Sequence, residues 1–140
     1  MANYTYFRVA MTGPADDLAA FQSRHVRPND RGDRYIDFQT LIPTAEPCPE
    51  VWGSFTIGYE FEIASESPGQ VEFTFSVRGG DAAPILREIA RRYPDVTAVI
   101  ACEEEGGSYA ATGAMQAGEL TYERQPWSEA VWEAVHGETF

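Results

Sequence analysis

The sequence contains no lysine, and its ten basic residues, all arginine, face 22 acidic residues, for a net charge of −12. This negative balance argues against direct binding to nucleic-acid phosphates and to anionic membranes. No apolar run approaches the roughly 20 residues of a membrane span. The first residues, Met1 to Phe7, lack the basic and apolar regions of a signal peptide. We therefore expect a cytoplasmic protein.

Cysteine and histidine are equally scarce, with two of each. Cys48 and Cys102 are too few for a disulfide scaffold or an iron–sulfur cluster, and Cys102, in an apolar strand, is expected to be a small buried side chain. His25 and His136 lack the spacing of a zinc site. His25 falls at a helix C-terminus, where a positive charge is favourable. The sequence therefore predicts no metal centre and no cofactor.

Motifs for phosphate binding and nucleophilic catalysis are also missing. The segment Gly79-Gly80-Asp81 resembles a phosphate-binding turn at a helix N-terminus. However, Gly-x-Gly-x-x-Gly and Gly-Lys-Ser/Thr are absent, and Asp81 would repel a phosphate. We interpret the segment as a tight turn in which Asp81 caps the following helix. No serine stands in Gly-x-Ser-x-Gly, so no catalytic residue is predicted and the sequence gives no support for an enzyme.

Strands and helices are instead well marked along the chain. Residues 71–77 alternate between apolar and polar, and apolar residues recur at helical spacing from Ile85 to Tyr93. Turn residues separate the elements. The predicted strands are 4–11, 35–42, 55–63, 71–77, 96–102, 109–115 and 120–123. The predicted helices are 14–26, 81–93 and 127–136.

The order of the main elements is strand, helix, two strands, helix, strand. This βαββαβ order is that of the ferredoxin-like α+β sandwich, a mostly antiparallel sheet with both principal helices on one face. We expect one domain over residues 1–140, with a ferredoxin-like core over about 3–104. An additional C-terminal β-hairpin and short helix would occupy about 105–138.

The most concentrated charge is Glu103, Glu104 and Glu105. Alternation along a strand puts Glu103 and Glu105 on one face and Glu104 on the other. Carboxylate pairs bind magnesium or calcium in some proteins, but no calcium-loop pattern accompanies these three. We therefore interpret them first as the solvated end of a strand, which discourages edge pairing, and second as a binding site.

Aromatic residues offer a second candidate surface. Trp52, Tyr59, Tyr109, Trp127 and Trp132 form either an open binding face or part of the core and its cover. Trp52 and Tyr109 are the first choices for exposure, because each neighbours a turn rich in glycine or proline. The candidate binding residues are therefore Trp52, Tyr109, Glu103, Glu104 and Glu105.

Several motifs together resemble the YubB-like family of phage- and plasmid-borne proteins, which carry a ferredoxin-like domain. The motifs are Leu41-Ile42-Pro43, Trp52-Gly53, Arg92-Tyr93-Pro94-Asp95, Glu104-Glu105-Gly106-Gly107-Ser108-Tyr109, Gly113 and Gly118-Glu119. The match covers roughly residues 38–122. The family's Thr-Lys-Trp-Asp after Trp-Gly is replaced here by Ser54-Phe55-Thr56-Ile57. Since the family has no established activity, the resemblance implies a fold and a mobile-element origin, but no catalytic residue.

The leading hypothesis is a small acidic module that binds another protein, preferably a basic one. A phage-type DNA mimic that occupies a nucleic-acid-binding enzyme is an alternative, and a carboxylate-based metal-binding protein or enzyme is another. We expect a monomer or a weak homodimer, formed through an edge strand near Leu120 or the apolar side of the Trp127 helix.

Overall fold

The computed structural model describes residues 2–140. Within this range the strands are β1 (Tyr4–Thr12), β2 (Val26–Pro28), β3 (Arg34–Ile36), β4 (Tyr59–Ser67), β5 (Gln70–Arg78), β6 (Thr97–Glu104), β7 (Ala110–Gln116) and β8 (Glu119–Gln125). The α-helices are α1 (Ala15–His25), α2 (Pro49–Trp52), α3 (Ala83–Arg92) and α4 (Glu129–His136), and a 3₁₀ helix spans Phe38–Thr40. None of the helices within residues 2–140 combines the length and the apolar character that a membrane-spanning helix requires.

Six strands form one antiparallel sheet in the order β4-β5-β1-β6-β7-β8. Strands β2 and β3 form a separate ribbon, which a bridge between Ile36 and Gly58 attaches beside the start of β4. The α+β class and the antiparallel sheet predicted from the sequence are therefore confirmed.

The central strand β1 has different surroundings on its two sides, because successive side chains point to opposite faces of the sheet. On one face Phe7 is fully buried and stacks on Phe75 of β5, with ring centroids 4.5 Å apart. On the other face Arg8 donates from Nε to the carbonyl of Val135 in α4 at 2.8 Å. Both faces of the sheet are thus occupied near its centre.

Helices α1 and α3 cover the face that carries Phe7, because each presents an apolar stripe to it. Their buried residues in the same core cluster are Leu18, Phe21, Ile85, Leu86, Ile89 and Ala90. Helix α4 packs on the opposite face, where Val131 and Val135 contact Ala101 of β6. The two principal helices therefore share one side of the sheet, and α4 adds a third layer on the other.

The extended segment predicted over residues 35–42 is wrong after Ile36. Strand β3 ends there, and a 3₁₀ helix follows because the Asp37 carboxylate accepts a hydrogen bond from the Gln39 amide at 3.0 Å. Such a local bond offers the backbone an alternative to strand pairing. The turn buries Phe38 completely.

The strand predicted over residues 55–63 starts later and is irregular. Phe55 is 53% exposed and lies outside β4, which begins at Tyr59. Glu60 has a left-handed backbone with φ of 54°, and the pairing register with β5 shifts between Tyr59 and Glu62. This bulge breaks the alternation on which the prediction relied.

His25 ends α1 inside a chain of buried hydrogen bonds. The Thr40 hydroxyl donates to the Asp37 carbonyl at 2.6 Å, so its oxygen accepts from His25 Nδ1, also at 2.6 Å. His25 Nε2 then accepts from the Tyr93 hydroxyl at 2.8 Å. Burial, assisted by the nearby Arg92, lowers the pKa of His25 to about 4. The imidazole is therefore neutral at pH 7, although a positive charge is favourable at a helix C-terminus.

The turn between β5 and α3 is tight, as the sequence predicted, but the N-cap residue of α3 is Ala82, so Asp81 lies one position before the predicted cap. Asp81 Oδ1 accepts from the Ala83 amide at 3.2 Å, and the Ala82 amide donates to the Gly53 carbonyl at 3.0 Å. A Cβ atom on Gly80 would overlap the Gly53 carbonyl oxygen. Close packing of two backbone segments thus explains the glycine without a phosphate.

We predict that stability falls as the pH is lowered from 6.5 to about 4, because the unfolded chain binds a proton at His25 that the folded chain excludes. The contribution is about 3 kcal/mol over this window. Urea unfolding of the wild type and of His25→Gln measures it. The advantage of the wild type should shrink through this window and then level off. A difference independent of pH would contradict a neutral buried His25.

We also predict that Gly80→Ala lowers the free energy of unfolding by about 3 kcal/mol, because the added methyl group displaces the Gly53 segment. The matched control is Gly107→Ala, which has a positive φ but no atom near the new Cβ and should cost about 1 kcal/mol. Thermal or urea unfolding compares the two. Equal losses would show that the Gly53 contact imposes no constraint.

Candidate functional site

The acidic run at the end of β6 alternates between the two faces of the sheet, as predicted. Glu103 and Glu105 border a cavity beside α4, whereas Glu104 borders a different cavity. The interpretation as a solvated strand end is wrong for two of the three, because Glu103 is 3% exposed and Glu104 is 5% exposed. Each of these two carboxylates is buried with its own set of hydrogen-bond donors.

Glu104 stabilises the turn between β6 and β7 through hydrogen bonds. Its Oε1 accepts from the Gly106 amide at 2.8 Å and from the Asn3 side chain at 2.6 Å, and its Oε2 accepts from the Ser108 amide at 2.8 Å. Burial by itself would raise the pKa of Glu104, but these donors outweigh it and lower the pKa. Glu104 therefore joins the hairpin to the N-terminal segment.

Glu103 of β6 forms hydrogen bonds with residues at both ends of the α4 region. The Trp127 indole Nε1 donates to Glu103 Oε1 at 2.9 Å. His136 Nε2 lies 2.9 Å from Oε2 and carries a proton, since a carboxylate only accepts. Trp127 precedes the helix, which the Ser128 hydroxyl caps, and His136 is its last residue. One buried carboxylate thus positions the whole segment.

Glu105 is exposed at the mouth of the same cavity. It accepts from the Tyr4 amide at 3.2 Å and from the Tyr6 hydroxyl at 3.3 Å. Because these bonds are long, both carboxylate oxygens are open to a further donor. Burial raises the pKa of Tyr6, and the negative charges of Glu105, Glu60 and Glu103 raise it further. The potential around Tyr6 is therefore negative.

Aromatic rings wall the cavity beside these carboxylates. The Phe140 ring centroid lies 5.4 Å from that of Trp127 and 5.1 Å from that of Trp132, and Trp132 lies 4.4 Å from His136. The cavity has a volume of about 450 Å³. We call it the aromatic cleft, lined by Tyr6, Glu103, Glu105, Trp127, Trp132, His136 and Phe140.

The two aromatic residues chosen first for exposure lie outside the aromatic cleft. Trp52 is 2% exposed, and its indole nitrogen donates to the Ile42 carbonyl at 2.8 Å. The expected exposure is therefore wrong for Trp52, whose polar atom has a partner inside the fold. Tyr109 is half-buried, with its hydroxyl 3.0 Å from that of Thr5 and the Arg124 guanidinium 3.9 Å from its ring centroid.

Both cysteines are free. Cys102 is fully buried, as predicted, and its Sγ lies 3.0 Å from the Tyr122 hydroxyl. Burial raises the pKa of the Cys102 thiol to about 12, so the thiol is protonated at neutral pH. Cys48 is half-buried at the start of α2.

The aromatic cleft was not predicted from the sequence. Trp132 and His136 are four positions apart and therefore share a helix face, which was a usable local signal. Glu103, however, is 24 residues from Trp127 and 33 from His136. Local spacing carries no information about contacts over such separations.

We predict that Glu104→Ala lowers the free energy of unfolding by about 2 to 3 kcal/mol, because buried donors lose a charged acceptor. Urea denaturation at neutral pH measures the loss. Glu119→Ala is the control, since it removes the same charge from an exposed site on β8 and should change stability by less than about 0.5 kcal/mol. Equal effects would contradict the structural role of Glu104.

No protein-family model, curated protein or solved structure matches this chain. The resemblance to the YubB-like family therefore stays a prediction. Within residues 2–140, no group of three or more His, Cys, Asp or Glu side chains is placed to hold a metal ion.

Proposed function

We propose that this chain is a non-catalytic protein-binding module whose aromatic cleft receives a basic segment of a partner. One observation carries the proposal: the carboxylates of Glu103 and Glu105 share a cavity with the rings of Trp127, Trp132 and Phe140. Aromatic rings attract cations through their faces and act as anchors at protein interfaces. Carboxylates beside them favour arginine or lysine over a neutral side chain.

Negative charge continues beyond the aromatic cleft. A neighbouring cavity of about 260 Å³ shares Tyr6 and His136 with it and is bordered by the exposed Glu60 and Glu62. Arg8 also borders this cavity, but its ion pair with Glu72 of β5 compensates its positive charge. A basic partner would therefore meet uncompensated carboxylates over a wide surface, which speeds encounter and favours the correct orientation.

The ferredoxin-like assignment belongs to the same proposal. The strand order β4-β5-β1-β6, with α1 and α3 on one face, supports a βαββαβ sandwich. In this assignment β7, β8 and α4 are the C-terminal addition, and α4 with its flanking residues Trp127 and Phe140 supplies the aromatic side chains of the cleft other than Tyr6. We also propose a phage or plasmid origin, supported by the motif resemblance, and a cytoplasmic setting, supported by the free cysteines.

The two alternative functions, a DNA mimic and a carboxylate-based metal protein, predict different roles for the aromatic cleft. A DNA mimic is recognised through carboxylates spaced like phosphates, so its binding would not depend on the aromatic rings. A carboxylate-based metal protein would gain stability from magnesium, calcium or manganese without any peptide. Peptide binding that depends on the aromatic cleft, without a gain in stability from these ions, would therefore favour the proposal over both alternatives.

We predict that a labelled peptide rich in arginine and lysine binds this protein, whereas a neutral peptide of the same length does not. Fluorescence anisotropy measures the dissociation constant. Raising the salt concentration from about 50 mM to about 500 mM should weaken binding roughly tenfold or more, because exposed charges are screened. Absent binding, or binding indifferent to salt, would contradict the proposal.

Two variants with the same change in net charge locate the binding surface. Glu105→Gln, at the mouth of the aromatic cleft, should weaken peptide binding several-fold. Glu119→Gln should leave binding unchanged, because Glu119 pairs with Gln116 at the far end of the hairpin from Glu103. Equal effects would show that only the overall charge matters, which contradicts a role for the aromatic cleft.

A further inference from the structure

The floor of the aromatic cleft is a buried carboxylate whose side-chain partners are an imidazole and an indole. Among the described residues, the ion-pair partner of Glu103 is His136, and its other hydrogen bond comes from the neutral Trp127 indole. No arginine in residues 2–140 forms an ion pair with it. Because water screens a buried charge poorly, Glu103 attracts a cation entering the cleft more strongly than an exposed carboxylate would.

Hydrogen-bond acceptors lie at both the floor and the mouth of the aromatic cleft. Each Glu103 oxygen accepts one hydrogen bond and keeps a second lone pair. The oxygens of Glu105 accept only the two long bonds described above. Tyr6 donates its hydroxyl hydrogen to Glu105, so its oxygen can also accept. A bound group with several N–H donors can therefore form hydrogen bonds with Glu103 at the floor and with Glu105 and Tyr6 at the mouth.

The aromatic walls favour a flat guest. Phe140 stands at 69° to Trp127 and at 81° to Trp132, so rings of more than one orientation line the cleft. The negative faces of such rings attract a cation, and a planar cation gains stacking contact as well.

We propose that the aromatic cleft binds the guanidinium group of an arginine side chain of the partner protein. This inference rests on the proposed function and adds the identity of the recognised group. Guanidinium presents five N–H donors in one plane, so it stacks on a ring while donating to Glu103 and Glu105. An ammonium group is not planar, and a trimethylated ammonium group has charge without donors.

Peptides identical except at one central position test this inference. The central residue is arginine, lysine, trimethyllysine or citrulline, the last being a neutral mimic of arginine. The indole N–H resonances are followed by NMR as each peptide is added. The chemical shift of the Trp127 resonance should change, because its Nε1–H is hydrogen-bonded to Glu103 at the floor of the cleft. The chemical shift of the Trp52 resonance should not change, because its Nε1–H is hydrogen-bonded to the Ile42 carbonyl away from the cleft.

The arginine peptide should bind roughly tenfold tighter than the lysine peptide, which corresponds to ~1.4 kcal/mol. The citrulline peptide should not bind measurably, and trimethyllysine should bind more weakly than lysine. Lysine or trimethyllysine binding as tightly as arginine would overturn the inference. A Trp127 resonance that stays still while the arginine peptide binds would overturn it as well.

The same titration with Glu105→Gln should show several-fold weaker binding of the arginine peptide, and Glu119→Gln should match the wild type. An unchanged Trp52 resonance verifies that each variant is folded. If the mixed arginine and lysine peptide binds but arginine and lysine are equivalent in this series, the guanidinium assignment fails and the proposed function stands. If no basic peptide binds, both fail.

Discussion

Strand β6 is covered by different helices on its two faces, and its alternation decides the surroundings of each side chain near the candidate site. Cys102 faces the core under α1 and α3, where burial keeps its thiol protonated. Ala101 faces α4. Glu103 follows on the α4 side, so it meets the residues that begin and end that helix. A shift of one position would move every one of these side chains to the wrong face.

Neighbouring carboxylates on this strand are buried in different ways, with different consequences. Glu104 is surrounded by donors from the adjacent turn and from Asn3, so its oxygens are occupied. Glu103 is held by side chains from a distant segment and faces a cavity. The first arrangement stabilises a hairpin. The second places a buried negative charge beside a cavity, and this placement supports the proposed binding of a cation there.

Sequence reasoning succeeded where regular periodicity continued without interruption. Strand β1 and helix α3 were predicted to within a few residues, because their apolar positions repeat at the spacing of one face. It failed where a side chain or a bulge diverted the backbone. Asp37 nucleates a 3₁₀ turn, and the left-handed Glu60 interrupts β4. Trp52 was misplaced since a glycine beside it indicates a turn but does not reveal the Ile42 carbonyl that accepts its N–H.

Short-range spacing accounts for the α+β class, the main elements and the placement of Glu103 and Glu105 opposite Glu104, because these features depend on residues two to four positions apart. Folding in three dimensions is responsible for the aromatic cleft. The hairpin of β7 and β8 returns the chain so that Trp127 and His136 meet Glu103 across 24 and 33 residues. Contacts over such distances depend on how whole elements pack, which the spacing of neighbouring residues does not encode.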